Sequence, residues 1–382
     1  IPVGRQFGVM IVVQNSINYE VSTFREEGDY SDGRRPDRVQ FVDARTDVQR
    51  RDFTVNSLLL DPFSGKILDY CNGRRDLQVG SIRTIGSPAC RFGEDKLRLI
   101  RAVRFAGQLD FQIEGETWKE LRRLAGQIDQ VSQERICDEL LKILTGEHAS
   151  RCLHLLLDSG LLQAVLPEVA AMVGVRQPPE FHPEGDVWTH TCLMFSLVKK
   201  PSDTLALGIL LHDVGKPSTY SVRDRIRFDR HAEVGAEMAA GICRRLRVPN
   251  QQLHTVVELV RQHLRFMHVQ QMREAKLKRF LRQDDFGEHL ELHRVDCLAS
   301  HGDLSAYEFC QRRLEELSEE EIKPHPFLTG HDLIGLGLEP GPVFGELLSK
   351  IEDQQLEGVF RSREEALDWV RKQIALDEPN KP

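Results

Sequence analysis

The sequence predicts an α+β protein: a small mixed sheet with helices at the N-terminal end, followed by an all-α remainder. Three observations carry this prediction. Residues 7–24 are β-rich and alternate in polarity, the period-two signal of strands. From about residue 94 apolar positions recur at helical spacing, and beyond about 128 almost no strand signal remains. Gly65, Gly73, Gly160, Pro167, Pro324 and Pro326 punctuate the chain where elements should end.

The elements follow in order. Phe7–Val13 and Tyr19–Phe24 read as a hairpin turning through Asn15-Ser16-Ile17-Asn18. Residues 26–36 are a polar, Gly-containing loop, and Arg38–Val42 reads as a third strand. Residues 94–107 and 115–127 have helical spacing. Ser132-Gln133-Glu134-Arg135 precedes a stripe of Ile136, Leu140, Leu141 and Leu144, the pattern of an amphipathic helix. A helical block spans about 180–315, the acidic stretch 314–321 reads as a boundary, and residues 327–375 hold two or three short helices. The expected domains are a head (1–106), a neck (107–175), a body (176–315) and a helical tail (316–382).

Composition narrows the class. A chain of 382 residues has room for two or three domains with a sizeable core. With 40% hydrophobic and 29% charged residues it has a globular composition, and no run reaches the roughly 18 apolar residues of a membrane span. A cytoplasmic protein with no membrane partner is expected. Eight scattered cysteines form no Cys-x-x-Cys, which argues for reduced thiols over a zinc ribbon or redox pair. The net charge of −8 argues against nucleic acid, but its distribution reverses the argument. Six arginines fall between Arg34 and Arg51, and Arg91, Lys96, Arg98, Arg101 and Arg104 cluster again.

Two segments carry candidate chemistry. In Glu94-Asp95-x-x-Arg98 a carboxylate and a guanidinium three residues apart share one face of a helix. Together they offer an acceptor and a donor to the edge of a base. The same tetrad alone describes an ordinary i,i+3 ion pair. In Arg51-Asp52-Phe53-Thr54-Val55-Asn56, Arg and Asn can hydrogen-bond phosphate oxygens and a sugar hydroxyl; alone it describes a solvated turn.

With the continuation Leu99-Ile100-Arg101-Ala102-Val103-Arg104-Phe105-Ala106, these segments resemble the class II tRNA nucleotidyltransferase (CCA-adding enzyme) and bacterial poly(A) polymerase family. The resemblance runs nearly the whole chain: nucleotidyltransferase palm, neck, HD body and tail. It implies that Asp95 and Arg98 read CTP or ATP, and that Arg51, Asp52, Asn56, Arg101 and Arg104 complete the nucleotide site. Tyr19-Glu20-Val21-Ser22-Thr23-Phe24-Arg25 resembles the third catalytic strand, which makes Glu20 the acidic residue beside Mg²⁺ and Arg25 a support for the triphosphate. Residues 28–37 resemble the loop of members able to add A. Asp69–Leu77 resembles the hinge between head and neck, with Gly73 at a tight turn and Asp76 structural. Val131–Leu144 resembles the neck helix, with Arg135 and Lys142 facing RNA phosphate. The implied activity is template-independent CCA addition to the 3′ end of tRNA or another RNA, with poly(A) addition as the alternative. The family's Asp-x-Asp pair, which belongs ahead of Glu20, does not occur there, so a head that binds nucleotide without transferring it is expected.

The body carries a second candidate. His212-Asp213-Val214-Gly215-Lys216 offers a nitrogen and an oxygen ligand from one helix end. With His190 upstream and Asp296 downstream it resembles the HD superfamily of metal-dependent phosphohydrolases, and His231 and His263 stand where two-metal members place further ligands. The resemblance implies a divalent metal (Mn²⁺, Ni²⁺, Co²⁺ or Mg²⁺) and, as another function, phosphatase or 2′,3′-cyclic phosphodiesterase activity. Lys216 would steady a phosphate. Thr329–Gly337 resembles the family's tail, where Gly-x-Asp-Leu serves a turn, so His331-Asp332 is not expected to be a second site.

Overall fold

The computed structural model describes residues 9–27 and 39–377. The A-addition loop expected at residues 28–37 lies outside them. Contacts divide the chain into two compact units, 1–261 and 262–382, so the division falls inside the span expected for the body.

The first unit opens with β1 (Val9–Gln14) and β2 (Ile17–Ser22), paired antiparallel with Ile11 opposite Glu20. The turn is tighter than expected: Asn15 and Ser16 alone make it, both with positive φ (51° and 61°). Two such residues give the twist that matches the flanking strands, and Asn tolerates it best. β3 (Arg25–Glu27) pairs antiparallel with β4 (Val39–Phe41), so the expected third strand exists, but its partner arises from the start of the expected loop. α1 (Ala44–Gln49) follows, its first turn capped by Asp43, which accepts from the Thr46 N–H.

Two short ladders brace the next stretch. β5 (Leu59–Leu60) pairs antiparallel with β6 (Ile67–Leu68). β7 (Ser81–Ile82) pairs in parallel with β8 (Gln112–Ile113). Between them lies α2 (Gly73–Val79). The strained residue at the hinge is Asn72 (φ 61°), not Gly73. Gly73 is needed for space: a Cβ there would sit 2.2 Å from the Thr54 carbonyl oxygen. Asp76 is structural, as expected, accepting from Thr54 Oγ1 at 2.7 Å and pairing with Arg83.

Helices then take over: α3 (Pro88–Glu94), α4 (Leu97–Gln108) and α5 (Gly115–Leu124), which tightens into a 3₁₀ turn over Ala125–Gln130. α6 (Gln133–Leu144) buries Ile136, Leu140, Ile143 and Leu144. α4 buries Leu99, Ile100, Val103 and Ala106 and packs on α6 and on α7 (Ala149–Ser159). Gly107 lets α7 approach closely, because a Cβ there would overlap Cys152 Sγ. α8 (Leu161–Val165), α9 (Pro167–Ala170), α10 (Val187–Leu197), α11 (Asp203–Leu211) and α12 (Lys216–Thr219) continue the unit. β9 (Tyr220–Val222) and β10 (Ile226–Phe228) form a small hairpin in a region expected to be helical throughout. α13 (His231–Arg245) and α14 (Asn250–Gln262) end it.

The second unit begins with a 3₁₀ stretch, His263–Gln271, then α15 (Glu274–Leu281), α16 (Phe286–Ala299), α17 (Ser305–Glu316) and α18 (Glu319–Ile322). Phe266, Phe280 and Phe286 pack in its core with Leu277, Leu281 and Cys310, Phe280 meeting the other two rings edge to face. α19 (Gly330–Gly335), α20 (Pro342–Leu356) and α21 (Arg363–Asp377) close around Leu333, Ile351, Phe360 and Val370. His331-Asp332 starts a helix where a turn was expected: the Asp332 carboxylate accepts from the Thr329 N–H and hydroxyl and pairs with Arg363. All eight cysteines are free thiols, and no described helix is long and apolar enough to cross a membrane.

Candidate functional sites

The first site is a cavity of about 460 Å³ lined by Arg50, Arg51, Asp52, Asn56, Asp95, Arg98, Arg101 and Arg135. The two halves of the sequence signal thus meet, because the loop after α1 and the α3–α4 junction face each other. Sequence reasoning missed what holds them. Asp47, 2% exposed, accepts from Arg50 Nη2 at 2.7 Å, Arg51 Nη2 at 3.0 Å and the Arg25 N–H at 3.1 Å. One buried carboxylate therefore aims two guanidiniums and ties β3 to them. It sits one turn before Arg51 on an unremarkable helix, so nothing in the sequence singles it out.

Asp52 is also buried. Its Oδ2 accepts from Arg101 Nε at 2.8 Å and Nη2 at 2.6 Å, and its Oδ1 from Asn56 Nδ2 and the Phe53 N–H, each at 2.9 Å. It lines the cavity as a holder of Arg101 and Asn56 more than as a ligand. Burial raises its pKa, but the Arg101 charge and the hydrogen bonds outweigh burial and lower it below the ordinary 3.8. A depressed carboxyl pKa contributes stability that is present above the unfolded value and lost as pH falls through the folded one. Acid titration of thermal unfolding is therefore expected to cost the wild type more than Asp52→Asn below about pH 4; parallel curves would contradict this.

Asp95 and Arg98 do not share a helix face. Asp95 is an extended residue (φ −145°, ψ 109°) between α3 and α4, and Arg98 makes its ion pair with Glu94, not Asp95. Asp95 accepts from the Leu97 N–H at 3.0 Å and from Arg135 Nη1 and Nη2 at 3.3 and 2.7 Å. Those bonds use three of the four acceptor positions of a carboxylate. Arg98 donates Nη1 to the Arg91 carbonyl and to Glu94, and Nη2 to the Arg50 carbonyl. Its five N–H groups leave donors over. Each side chain is thus fixed and retains capacity for a base edge.

Arg135 reaches Asp95 inside the cavity, a contact the sequence did not suggest. Arg104 leaves the cavity: its Nε donates to Glu139 at 2.5 Å and its guanidinium lies 4.0 Å from the Phe105 ring centroid. It lines a second cavity of about 480 Å³ with Gln108, Lys142 and His148. Lys142 is exposed and donates to Glu139 at 3.1 Å. Glu139, only 3% exposed, is the other residue the sequence hid, since it sits in a charged stretch of an amphipathic helix. Glu20 is exposed on β2 and does not line the cavity. Among the described residues the head has no group of three acidic, His or Cys side chains that could hold an ion.

The second site lies around the HD dyad. His190, His212 and Asp213 are buried and each place one ligand atom within 4.8 Å of the others. Asp213 also faces His231 Nε2 at 3.6 Å and Lys216 Nζ at 2.7 Å. Burial raises the Asp213 pKa, but His212, Lys216 and His231 more than offset it and hold the carboxyl well below its ordinary value. A buried carboxylate among imidazoles is a donor set that fits a divalent cation. Asp296 lies on α16 and His263 opens the 3₁₀ stretch, both in the second unit. Gly215 belongs to the site by what it lacks. A Cβ there would stand 2.2 Å from the His231 carbonyl oxygen and 2.7 Å from the Gly235 nitrogen. Gly215→Ala is expected to cost about 1–3 kcal/mol of stability and to displace His231; unchanged denaturant unfolding would contradict that.

A short-stranded head with an arginine-lined cavity, joined through helices to an HD dyad, defines a nucleotidyltransferase of the HD-bearing class. Models of three domains match in order: the poly(A) polymerase head domain over residues 1–83, a probable RNA- and SrmB-binding site of polymerase A over 110–173, and an HD domain over 186–294. The multifunctional CCA protein of Xanthomonas campestris pv. campestris (strain B100) is 33% identical over 361 residues, covering 91% of this chain and 87% of the relative. The CCA-adding enzyme of Geobacillus sp. (strain WCH70) is 44% identical over 162 residues, 42% of this chain and 40% of its own. In fold the chain resembles the crystal structure of the Bacillus stearothermophilus CCA-adding enzyme in complex with CTP, with a TM-score of 0.66 at 24% identity over 100% of this chain and 85% of that one. The chain belongs to the CCA-adding enzyme family.

Proposed function

We propose that this chain adds C and A to the 3′ end of tRNA without a template, using CTP and ATP, and that its head cavity selects the nucleotide. The observation that carries the reading is the pairing of an acceptor, Asp95, with a donor, Arg98, in a nucleotide-sized cavity with Arg50, Arg51 and Arg101. C and A both present an amino donor beside a ring-nitrogen acceptor, whereas U and G present the reverse. One fixed acceptor–donor pair therefore suits both correct nucleotides and opposes both wrong ones. The arginines would give the triphosphate its counter-charge, and Asn56 would hydrogen-bond the sugar. Relatives whose structures contain CTP, ATP and tRNA support the choice of partners. The domain division proposed is head 1–106, neck 107–175, HD body 176–315 and tail 316–382, with Lys142 on the RNA side. Calorimetric titration with CTP tests the reading: binding by the wild type and its loss in Arg51→Ala/Arg101→Ala is expected, and no binding by the wild type would contradict it.

A second activity is favoured by the buried His190–His212–Asp213 group. We infer a divalent metal there, with His231 beside Asp213 and with Asp296 and His263 as further ligands proposed from the sequence. A bound divalent ion would activate water for attack on a phosphoester. Lys216, held on Asp213, supplies a positive charge near that substrate. Metal analysis should find a divalent ion in the wild type and none in His212→Ala/Asp213→Ala. Metal retained by the double variant would reject this reading.

A further inference from the structure

The three histidines around Asp213 in the first unit follow one rule. His212 Nδ1 lies 2.9 Å from the Ile209 carbonyl oxygen, and His231 Nδ1 lies 2.8 Å from the Phe228 carbonyl oxygen. A carbonyl only accepts, so each Nδ1 carries a proton and each Nε2 is turned toward Asp213, at 3.1 Å in His212 and 3.6 Å in His231. His190 obeys the same rule with a different partner: its Nδ1 lies 2.7 Å from Glu184 Oε1. That oxygen also receives His182 Nδ1 at 2.8 Å. Glu184 is 93% buried as a side chain, since 7% is exposed, and its Oε2 has no hydrogen-bond partner. Such a carboxylate is costly to bury unless it serves its neighbours.

The segment that delivers Glu184 is closed at its base. Val187 N–H donates to the Val175 carbonyl at 3.1 Å, Arg176 and Asp186 bridge, and Asp186 accepts from the Gly174 N–H and caps α10 through the Thr189 N–H. The same loop sends Gln177 Oε1 to Lys216 Nζ at 2.6 Å. It therefore touches the dyad's surroundings twice, through Gln177 and through Glu184.

We propose that Glu184 is a positioning residue of the HD site: it fixes His190 as the Nδ1–H tautomer and so presents Nε2 to a divalent cation. The proposal rests on the metal reading of that site. Carboxylate partners of ligating imidazoles are worth about 10–100-fold in metal affinity. Mn²⁺ titration of the metal-free full chain should show Glu184→Ala binding 10–100-fold more weakly than wild type, with Glu184→Gln, which keeps an acceptor oxygen, losing less. A folded Glu184→Ala that binds Mn²⁺ within twofold of wild type overturns the proposal, while loss of binding in His212→Ala/Asp213→Ala keeps the metal site. Should Glu184→Ala not fold, Glu184→Leu, which fills the space without an acceptor, decides by the same twofold criterion. Imidazole ¹⁵N spectra of the metal-free protein, with His190 identified by His190→Gln, give a reading independent of metal. The proposal expects a protonated Nδ1 in wild type and a mixed tautomer in Glu184→Ala; an unchanged tautomer overturns it. No Mn²⁺ binding by the wild type would instead defeat the metal reading.

Discussion

Replacing Glu139 by alanine is expected to lower the stability of the first unit by about 3–5 kcal/mol, the cost of breaking a buried ion pair by removing one partner. Glu139 lies on α6 and receives Arg104 Nε at 2.5 Å, Lys142 Nζ at 3.1 Å and, more distantly, Arg101 Nη1 at 3.6 Å, the two arginines both from α4. Without it, Arg101 and Arg104 are left partly buried with one carboxylate, Asp52, between them. The apolar contact of α4 with α6 remains, so the unit loosens at this seam before it unfolds. Glu139→Gln keeps the volume and two acceptor positions but not the charge, and should cost less. Denaturant unfolding with a fluorescence probe reads both. A Glu139→Ala protein as stable as wild type would show that the seam is apolar and the charges are surface decoration.

Removing Asp95 or Arg98 should abolish nucleotide choice while leaving the triphosphate held. Each is expected to make one or two hydrogen bonds to the base, and a hydrogen bond involving a charged group contributes about 1.5–3 kcal/mol. Loss of one residue therefore predicts a fall of about 10–100-fold in CTP affinity, by the 1.4 kcal/mol per decade rule. The two substitutions should differ in kind. Arg98→Ala frees Glu94 and the carbonyls of Arg91 and Arg50, so it also disturbs the cavity wall. Asp95→Asn leaves the wall, since an amide can still accept from the Leu97 N–H, but it presents Arg135 with a neutral partner. Its main effect should fall on base discrimination.

Much of this was legible in the sequence, and the reasons differ by element. The hairpin, the helices α4, α5 and α6 and the HD dyad were readable because period and motif are local properties. The two nucleotide segments were readable because six or more positions match together. What stayed hidden depends on tertiary pairing. Asp47 and Glu139 look like solvent-facing charges at helical spacing, yet each is buried by the arginines it serves. That Arg135 lines the cavity and Arg104 does not was hidden, because sequence order does not say that α6 lies across α4 and reaches the Asp95 end of the cavity. Asp95 was expected on a helix because Glu94 and Arg98 flank it at helical spacing; the break between α3 and α4 falls at that residue. Glu184 carried no signal, being one acid in a loop rich in Pro and Gly. The strand hairpin at 220–228 was missed because each of its strands has only three residues.

The central claim is that a fixed acceptor–donor pair stands in for a template base. The most direct test is calorimetric binding of CTP, ATP, UTP and GTP to the wild-type chain at one salt concentration. The account predicts that CTP and ATP bind at least 10-fold more tightly than UTP and GTP, and that Asp95→Ala/Arg98→Ala removes the difference. Equal binding of all four nucleotides by the wild type, or discrimination that survives the double substitution, would contradict it.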